Sequence, residues 1–333
     1  MHKLCAELDL PKPSLLTSML MFCIRSHNRN TCSLRAAALS LLWLAGACSA
    51  QELEPRRWNH LPTGIHVAGA GYAYTHATIN FSPVLQIKDV DADIHTALAK
   101  YIQTFSVLGH SARIGVAQGY QHGRWSGDVG GEPTTIHRDG FTDSIIRFSV
   151  SLYGAPPMEG KEFAAYRAEK AKSETIMGAG LIVQLPTGEY YSNKLINLGS
   201  NRYTFRPQLG VLHSRGKFSM ELTSSVWLYT DNDDFYGDTR LENDPLYVLQ
   251  GHLTYSFRPG LWLGTGIGYG YGAESTLDGK NKGDKRKNLA WGGSISYPIT
   301  RKVGTKLTYV GTKSQTSLGA DTHTIALAAS VLW

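Results

Sequence analysis

From residue 64 to the carboxy terminus, apolar side chains alternate with polar or small ones over runs of about ten residues. In the last run Ile325, Leu327, Ala329, Val331 and Trp333 share one face, opposite Thr324, Ala326, Ala328 and Ser330. Another places Leu261, Leu263, Thr265, Ile267, Tyr269 and Tyr271 against Trp262 and the glycines from Gly264 to Gly272. Tyr247, Leu249, Leu253, Tyr255 and Phe257 oppose Gln250, His252, Thr254 and Ser256, while Phe218, Met220, Leu222, Val226 and Leu228 oppose Ser219, Glu221, Thr223 and Ser225. A period of two is the period of a β-strand. The pattern predicts twelve strands, near 64–76, 92–106, 110–125, 142–155, 174–186, 202–213, 217–230, 246–257, 261–273, 287–298, 302–312 and 321–333.

Two all-β folds alternate in this way. In a soluble sandwich the apolar faces point inward and turns recur every 8–12 residues. Here the runs are longer and the small and polar residues share a face, as in a transmembrane antiparallel β-barrel with lipid outside and water or a plug inside. An even strand count puts both termini on one side, expected to be the periplasmic one. Tight connections at Leu108–His110, Ser214–Lys217, Arg258–Gly260 and Thr300–Lys302 alternate with longer polar ones at 126–141, 187–201, 231–245 and 274–286. One connection breaks the rule: 156–173 should be a turn, yet it reads as a short amphipathic helix.

Upstream, Arg25, Arg29 and Arg35 precede the apolar run Ala36–Ala45, which ends in Gly46-Ala-Cys-Ser-Ala50. That order is a secretory signal, and a core of about ten residues is too short to span a bilayer as a helix. Cleavage is expected after Ala50, although Ala45-Gly-Ala-Cys48 also invites a lipoprotein reading, and Met19 or Met21 would start the chain at a more usual distance. The expected organisation is an extension and signal over 1–50, a short periplasmic segment over 51–63 and a barrel over 64–333. Cys5, Cys23, Cys32 and Cys48 all precede the cut, so no disulfide scaffold or thiolate metal site is expected in the mature chain. Lys3, Lys12, Arg25, Arg29 and Arg35 against Glu7 and Asp9 remove +3 of the formal +6 as well, leaving too little dispersed charge to argue for nucleic acid.

A carboxy-terminal strand ending in an aromatic residue resembles the signal by which outer-membrane barrels are recognised for insertion, with Trp333 in place of the usual Phe. Glu54-Pro-Arg-Arg-Trp58, Gly71-Tyr-Ala-Tyr-Thr75, Lys161-Glu-Phe-Ala-Ala-Tyr-Arg167, Leu195-Ile-Asn-Leu-Gly199, Phe205-Arg-Pro-Gln-Leu-Gly210, Leu228–Phe235, Asp244-Pro-Leu-Tyr247 and Phe257–Trp262 are more specific. This wording resembles the outer-membrane transporter family named for the MetA-pathway of phenol degradation. The resemblance runs along nearly the whole mature chain. It implies a channel for small hydrophobic or aromatic compounds, with outer-membrane lipid and the barrel-assembly machinery as partners. It brings no binding residues.

The strand phases place Arg113, Arg147, Gln184, Arg206, Gln208, Glu221, Gln250, His252 and Lys306 inward, with Gly264, Gly266 and Gly268. Charges of both signs could steer a solute, since selectivity in barrels is tuned from the lumen, or could pair across a narrow interior and fill it. The glycine run leaves space at one wall, for a permeation path, for an inserted loop or amino-terminal segment, or for curvature. Asp231–Glu242 has the length of a calcium loop but carries Phe235 and Tyr236 at its fifth and sixth positions, the latter where Gly is required, so no metal site is expected. An outer-membrane lipid hydrolase is the alternative activity and a barrel without a transported ligand a third. The nearest Ser and His pairs, His323 with Ser330 and His252 with Ser256, lie in no catalytic motif, and His323 and Ser330 face opposite sides of their strand. No cofactor fingerprint is present: the chain has no GxSxG, HExxH or GxxxxGK[ST].

Overall fold

The alternating runs fold as strands that close on themselves. The computed structural model describes residues 53–80, 87–129, 131–194 and 196–333, so the signal and all four cysteines lie outside the described residues. The strands are β1 (His66–Asn80), β2 (Ile87–Val107), β3 (His110–Val129), β4 (Glu132–Phe141) and β5 (Ile145–Tyr153), followed by one helix, α1 (Gly160–Glu169). Then come β6 (Ser173–Gln184), β7 (Thr204–Arg215), β8 (Phe218–Tyr229), β9 (Asn232–Phe235), β10 (Thr239–Asn243), β11 (Leu246–Arg258) and β12 (Leu261–Gly272). The last are β13 (Ser275–Leu277), β14 (Lys280–Asn281), β15 (Arg286–Pro298), β16 (Val303–Ser314) and β17 (Gly319–Leu332).

Every large-sheet pairing is antiparallel, and β1 pairs with both β2 and β17, joining the first strand to the last. Pairing of β2 with β3 closes the ring. The ring has twelve positions, because β4 and β5 share one: β3 pairs with β5 over Ala112–Ala117 and with β4 over Tyr120–Val129. Closure removes the edges of the ring, so its strands' backbone groups find partners where no water is available.

Several boundaries move. The expected polar loop at 126–141 is the tip of a hairpin, since β3 runs on to Val129 and β4 returns from Glu132. Gly131 and Pro133 read as loop residues but stand at or beside the turn of a ladder that projects past the barrel. The loops at 231–245 and 274–286 hold β9 and β10, and β13 and β14, which form a second, four-stranded sheet. The helix is present at α1 without the amphipathic face expected of it, because none of its residues is buried. Only Phe163 and Tyr166 turn inward, edge-on to the His60 ring at 4.9 and 5.3 Å.

The faces follow the period-two reading. On β11, Tyr247, Leu249 and Leu253 are exposed outward, while Gln250, His252 and Thr254 are buried inward. Aromatic residues collect at two heights. Tyr120 with Phe141 and Tyr203 with Phe205 lie toward the long loops, and Phe218, Tyr255 and Phe257 lie toward the tight turns. From Tyr247 to Phe257 the rise of about 3.3 Å per residue on a strand tilted about 40° gives about 25 Å of height, the thickness of the apolar band of a membrane barrel. The protein is a transmembrane antiparallel β-barrel.

The first strand starts and the last strand finishes at the tight-turn end, where His66 and Trp333 exchange two backbone hydrogen bonds of 3.0 Å. The turn between β2 and β3 there needs positive φ at Leu108 (49°) and Gly109 (77°), a primed hairpin turn for which glycine removes half the strain.

Candidate functional site

Residues 53–63, the described part of the short segment 51–63 expected ahead of the barrel, enter its interior. Trp58 is buried among inward-facing small residues of β6 and β7: a Cβ on Gly178 would stand 2.5 Å from the indole, and one on Gly210 only 1.9 Å from Nε1. Trp58 Nε1 donates to Thr223 Oγ1 at 2.9 Å. The ring packs with Ala155, Ile176 and Leu212. On β8, Glu221 accepts both backbone N–H groups that the entering chain would otherwise leave unpaired: Arg56 N donates to Oε2 at 2.7 Å and Trp58 N to Oε1 at 2.8 Å. A buried carboxylate receiving two N–H groups satisfies both sides of the desolvation problem.

The remaining predicted lumen residues surround this segment. Arg57 donates to Gln208 Oε1 at 3.1 Å and pairs with Glu54 at 3.5 Å. Arg147 pairs with Glu54 at 2.5 Å, and Lys306 adds to the positive field on that carboxylate. Arg113 donates from Nε to Ser149 Oγ at 3.1 Å. Arg206 is buried with its guanidinium 4.5 Å from the Trp227 ring centre. Gln184 donates to Asp143 Oδ2 at 2.9 Å, nearer the long-loop end. Gln250 is buried, and His252 lies flat against β12, where a Cβ on Gly266 would come 2.4 Å from its Cδ2. Gly268 faces Leu53, and Gly264 faces Thr254 and Trp262. Of the inward charges and amides, Arg147, Gln208 and Glu221 thus bind one object, the Glu54–Trp58 segment.

The tight-turn end is finished by His60, whose Nε2 lies 2.8 Å from the Pro156 carbonyl oxygen, and by Thr63, whose backbone N–H donates to Met158 O at 2.9 Å. Glu174 binds Arg167 of α1 there.

The long-loop end is constricted as well, by the connection 185–203. Its Ile196 is buried against Ile79, Val90, Ile94 and Trp125, all on inner faces, and Leu198 packs beside it. Asp143, at the break between β4 and β5, holds this loop by accepting from Gly188 N and Ser200 N at 2.9 Å each and from Ser200 Oγ at 2.5 Å. Asn232 is buried and ties the loop to β9 through Tyr190, Ser200 and Asn201. Gln208, Glu221, Gln250 and His252 are thus buried around mid-height, and the Ile196 cluster, with Asp143 and Asn232, at the loop end. Sequence reasoning missed Trp58, Asp143, Trp125 and Ile196. The inward phase of Gly178 and Gly210 was available as a signal that something large fills that wall.

Elsewhere, the carboxylates of Asp231, Asp233 and Glu242 converge on Arg240. His323 lies on the outer face, 2.8 Å from the Tyr309 hydroxyl, while Ser330 faces inward.

No curated protein sequence matches the chain. In fold the chain is similar to the COG4313 outer membrane channel from Pseudomonas putida F1, with a TM-score of 0.70, 20% sequence identity, and 85% of this chain and 100% of that chain covered. Weaker likenesses include the translocator domain of autotransporter NalP from Neisseria meningitidis (TM-score 0.44, 8% identity, covering 82% of this chain and 90% of that chain). The CymD monoaromatic hydrocarbon channel is another (TM-score 0.42, 7% identity, covering 82% and 89%). Residues 71–323, most of the chain, match the family described as "Putative MetA-pathway of phenol degradation", and the chain belongs to that family.

Proposed function

We propose that the protein is an outer-membrane channel that passes small hydrophobic or aromatic compounds by diffusion down a gradient. The observation that carries this reading is a closed wall, apolar outside, around an interior that ends in two constrictions built from side chains and a polar middle. A barrel with a merely structural role has no need to order a charged segment, Glu54–Trp58, against buried acceptors inside itself. Family membership and the fold shared with an outer membrane channel support it.

On this reading the signal is removed after Ala50, the termini and α1 stand on the periplasmic side, the long loops and the four-stranded sheet face outward, and outer-membrane lipid covers the apolar band. The assembly machinery reads the last strand and Trp333. Arg113, Arg147 and Lys306 opposite Glu54 and Glu221 set the field a solute meets, and the chain is not an enzyme.

The test uses detergent-folded mature protein in planar bilayers and liposomes. Discrete ion conductance, and swelling in aromatic solutes that cross protein-free bilayers slowly, are expected. A barrel that folds, shifts mobility on boiling and passes neither ions nor solutes overturns the reading, and release of fatty acid from phospholipid would replace it with the hydrolase.

A further inference from the structure

The inserted segment is held unequally. Arg56, Arg57 and Trp58 are fastened to β7 and β8 through Gln208, Glu221 and Thr223. On the other side Leu53 and Pro55 face β12, β15 and β16, where the wall is built of small residues, Gly264, Gly266, Gly292 and Ser294, with Thr254 lying over Gly264 and His252 over Gly266. A crevice runs between, with room for about a single water. Leu53, on its rim, lies over Gly268, its Cδ2 3.2 Å from where a Cβ would be.

His252 lines this crevice. It is 7% exposed, and neither ring nitrogen has a hydrogen-bond partner in the protein. Buried polar atoms are nearly always satisfied, and leaving two unsatisfied on one imidazole is unfavourable. The hydroxyls of Ser294 and Thr308 also line the crevice but lie 3.0 Å apart and bond each other, so the imidazole, with one donor and one acceptor when neutral, is the group left to bind whatever enters.

We propose that the crevice between Leu53–Pro55 and the glycine wall is the solute site of the channel, and that His252 is its specificity-determining contact. The site takes a small flat ring carrying a hydroxyl or carbonyl. The ring lies against the glycine wall beside the imidazole, its polar atom binds His252, and Leu53 swings off Gly268 to admit it while Trp58 stays anchored. This inference rests on the channel reading for its role in transport, although the site itself is testable without conductance.

The test is ligand-observed fluorine NMR on the detergent-folded mature protein, with 4-fluorophenol and fluorobenzene as probes and heat-dependent gel mobility as the check on folding. His252→Leu keeps the volume and removes the hydrogen bonds, so 4-fluorophenol is expected to bind about fivefold more weakly, the worth of one net hydrogen bond, with fluorobenzene changed less than about twofold. His252→Gln, with a donor and an acceptor, restores 4-fluorophenol to within about twofold of wild type. Ser294→Phe fills the crevice from the opposite wall and weakens both probes at least about fivefold, which keeps the site testable should the His252 variants fail to fold. Wild-type protein that binds neither probe, equal loss of both probes in His252→Leu, or unchanged binding in Ser294→Phe overturns the proposal. Absence of wild-type conductance with the binding pattern intact overturns only the channel reading.

Discussion

The Trp58 indole occupies the space that a side chain on Gly210 would need: a Cβ there would stand 1.9 Å from Trp58 Nε1. The two residues lie on a segment and a strand that share no local sequence, and each explains the other. Gly210→Leu is expected to expel Trp58 and release the segment, while the barrel, whose β7 pairs on both sides, stays folded. Trypsin is then expected to cut after Arg56 or Arg57, both expected to resist it in the wild type. Trp58→Ala should do the same, since losing a buried Trp costs about 3–5 kcal/mol. An uncut segment in both variants would show that the indole is not the anchor.

Glu221→Gln leaves one acceptor oxygen for two backbone donors and turns an amide N–H₂ toward the other. Hydrogen bonds to a charged group are worth about 1.5–3 kcal/mol each, so tryptic cleavage at Arg57 is expected to rise at least about tenfold, and single-channel conductance to rise with it. Unchanged protection would mean that Trp58 alone holds the segment.

Asp143→Ala removes the acceptor shared by Gly188, Ser200 and Gln184. The loop at 185–203 is expected to loosen from the mouth, giving faster backbone hydrogen exchange at Gly188–Ser200 and larger current fluctuations, with the melting of the barrel itself little changed. A slow-exchanging loop in the variant would assign its order to Ile196 and the apolar cluster instead.

The outward face can be tested by depth. Leu253 lies near mid-height of the apolar band and Phe257 at its tight-turn rim, both exposed. Leu253→Arg is expected to lower folding stability in lipid vesicles by about 2–4 kcal/mol and Phe257→Arg by about 0–1 kcal/mol, as read from urea titrations. Equal costs at the two sites would argue against a bilayer around this wall.

The strand count, the faces of β8, β11, β12 and β17, and the side on which Glu221, Gln250 and His252 lie were all legible from period-two alternation. A side chain in a strand points to one of two faces, and burial in lipid or lumen writes that choice into each residue. The hairpin beyond Trp125 was not, because its turn residues mimic a loop and its exposed ladder carries no apolar face. Nor was the small sheet of β9, β10, β13 and β14, whose strands of two to five residues are too short to show a period.

What the chain's residues determined alone, then, is a wall: alternation is a local property, and each strand records its own inside and outside. What fills the wall was decided only by closure. Glu54–Trp58 has no periodicity, and its partners Gln208, Glu221 and Thr223 lie 151 to 165 residues away in sequence. They meet because twelve paired strands bend into a ring whose interior leaves buried charges and glycine-lined space that must be satisfied by something, and the entering chain is the segment within reach.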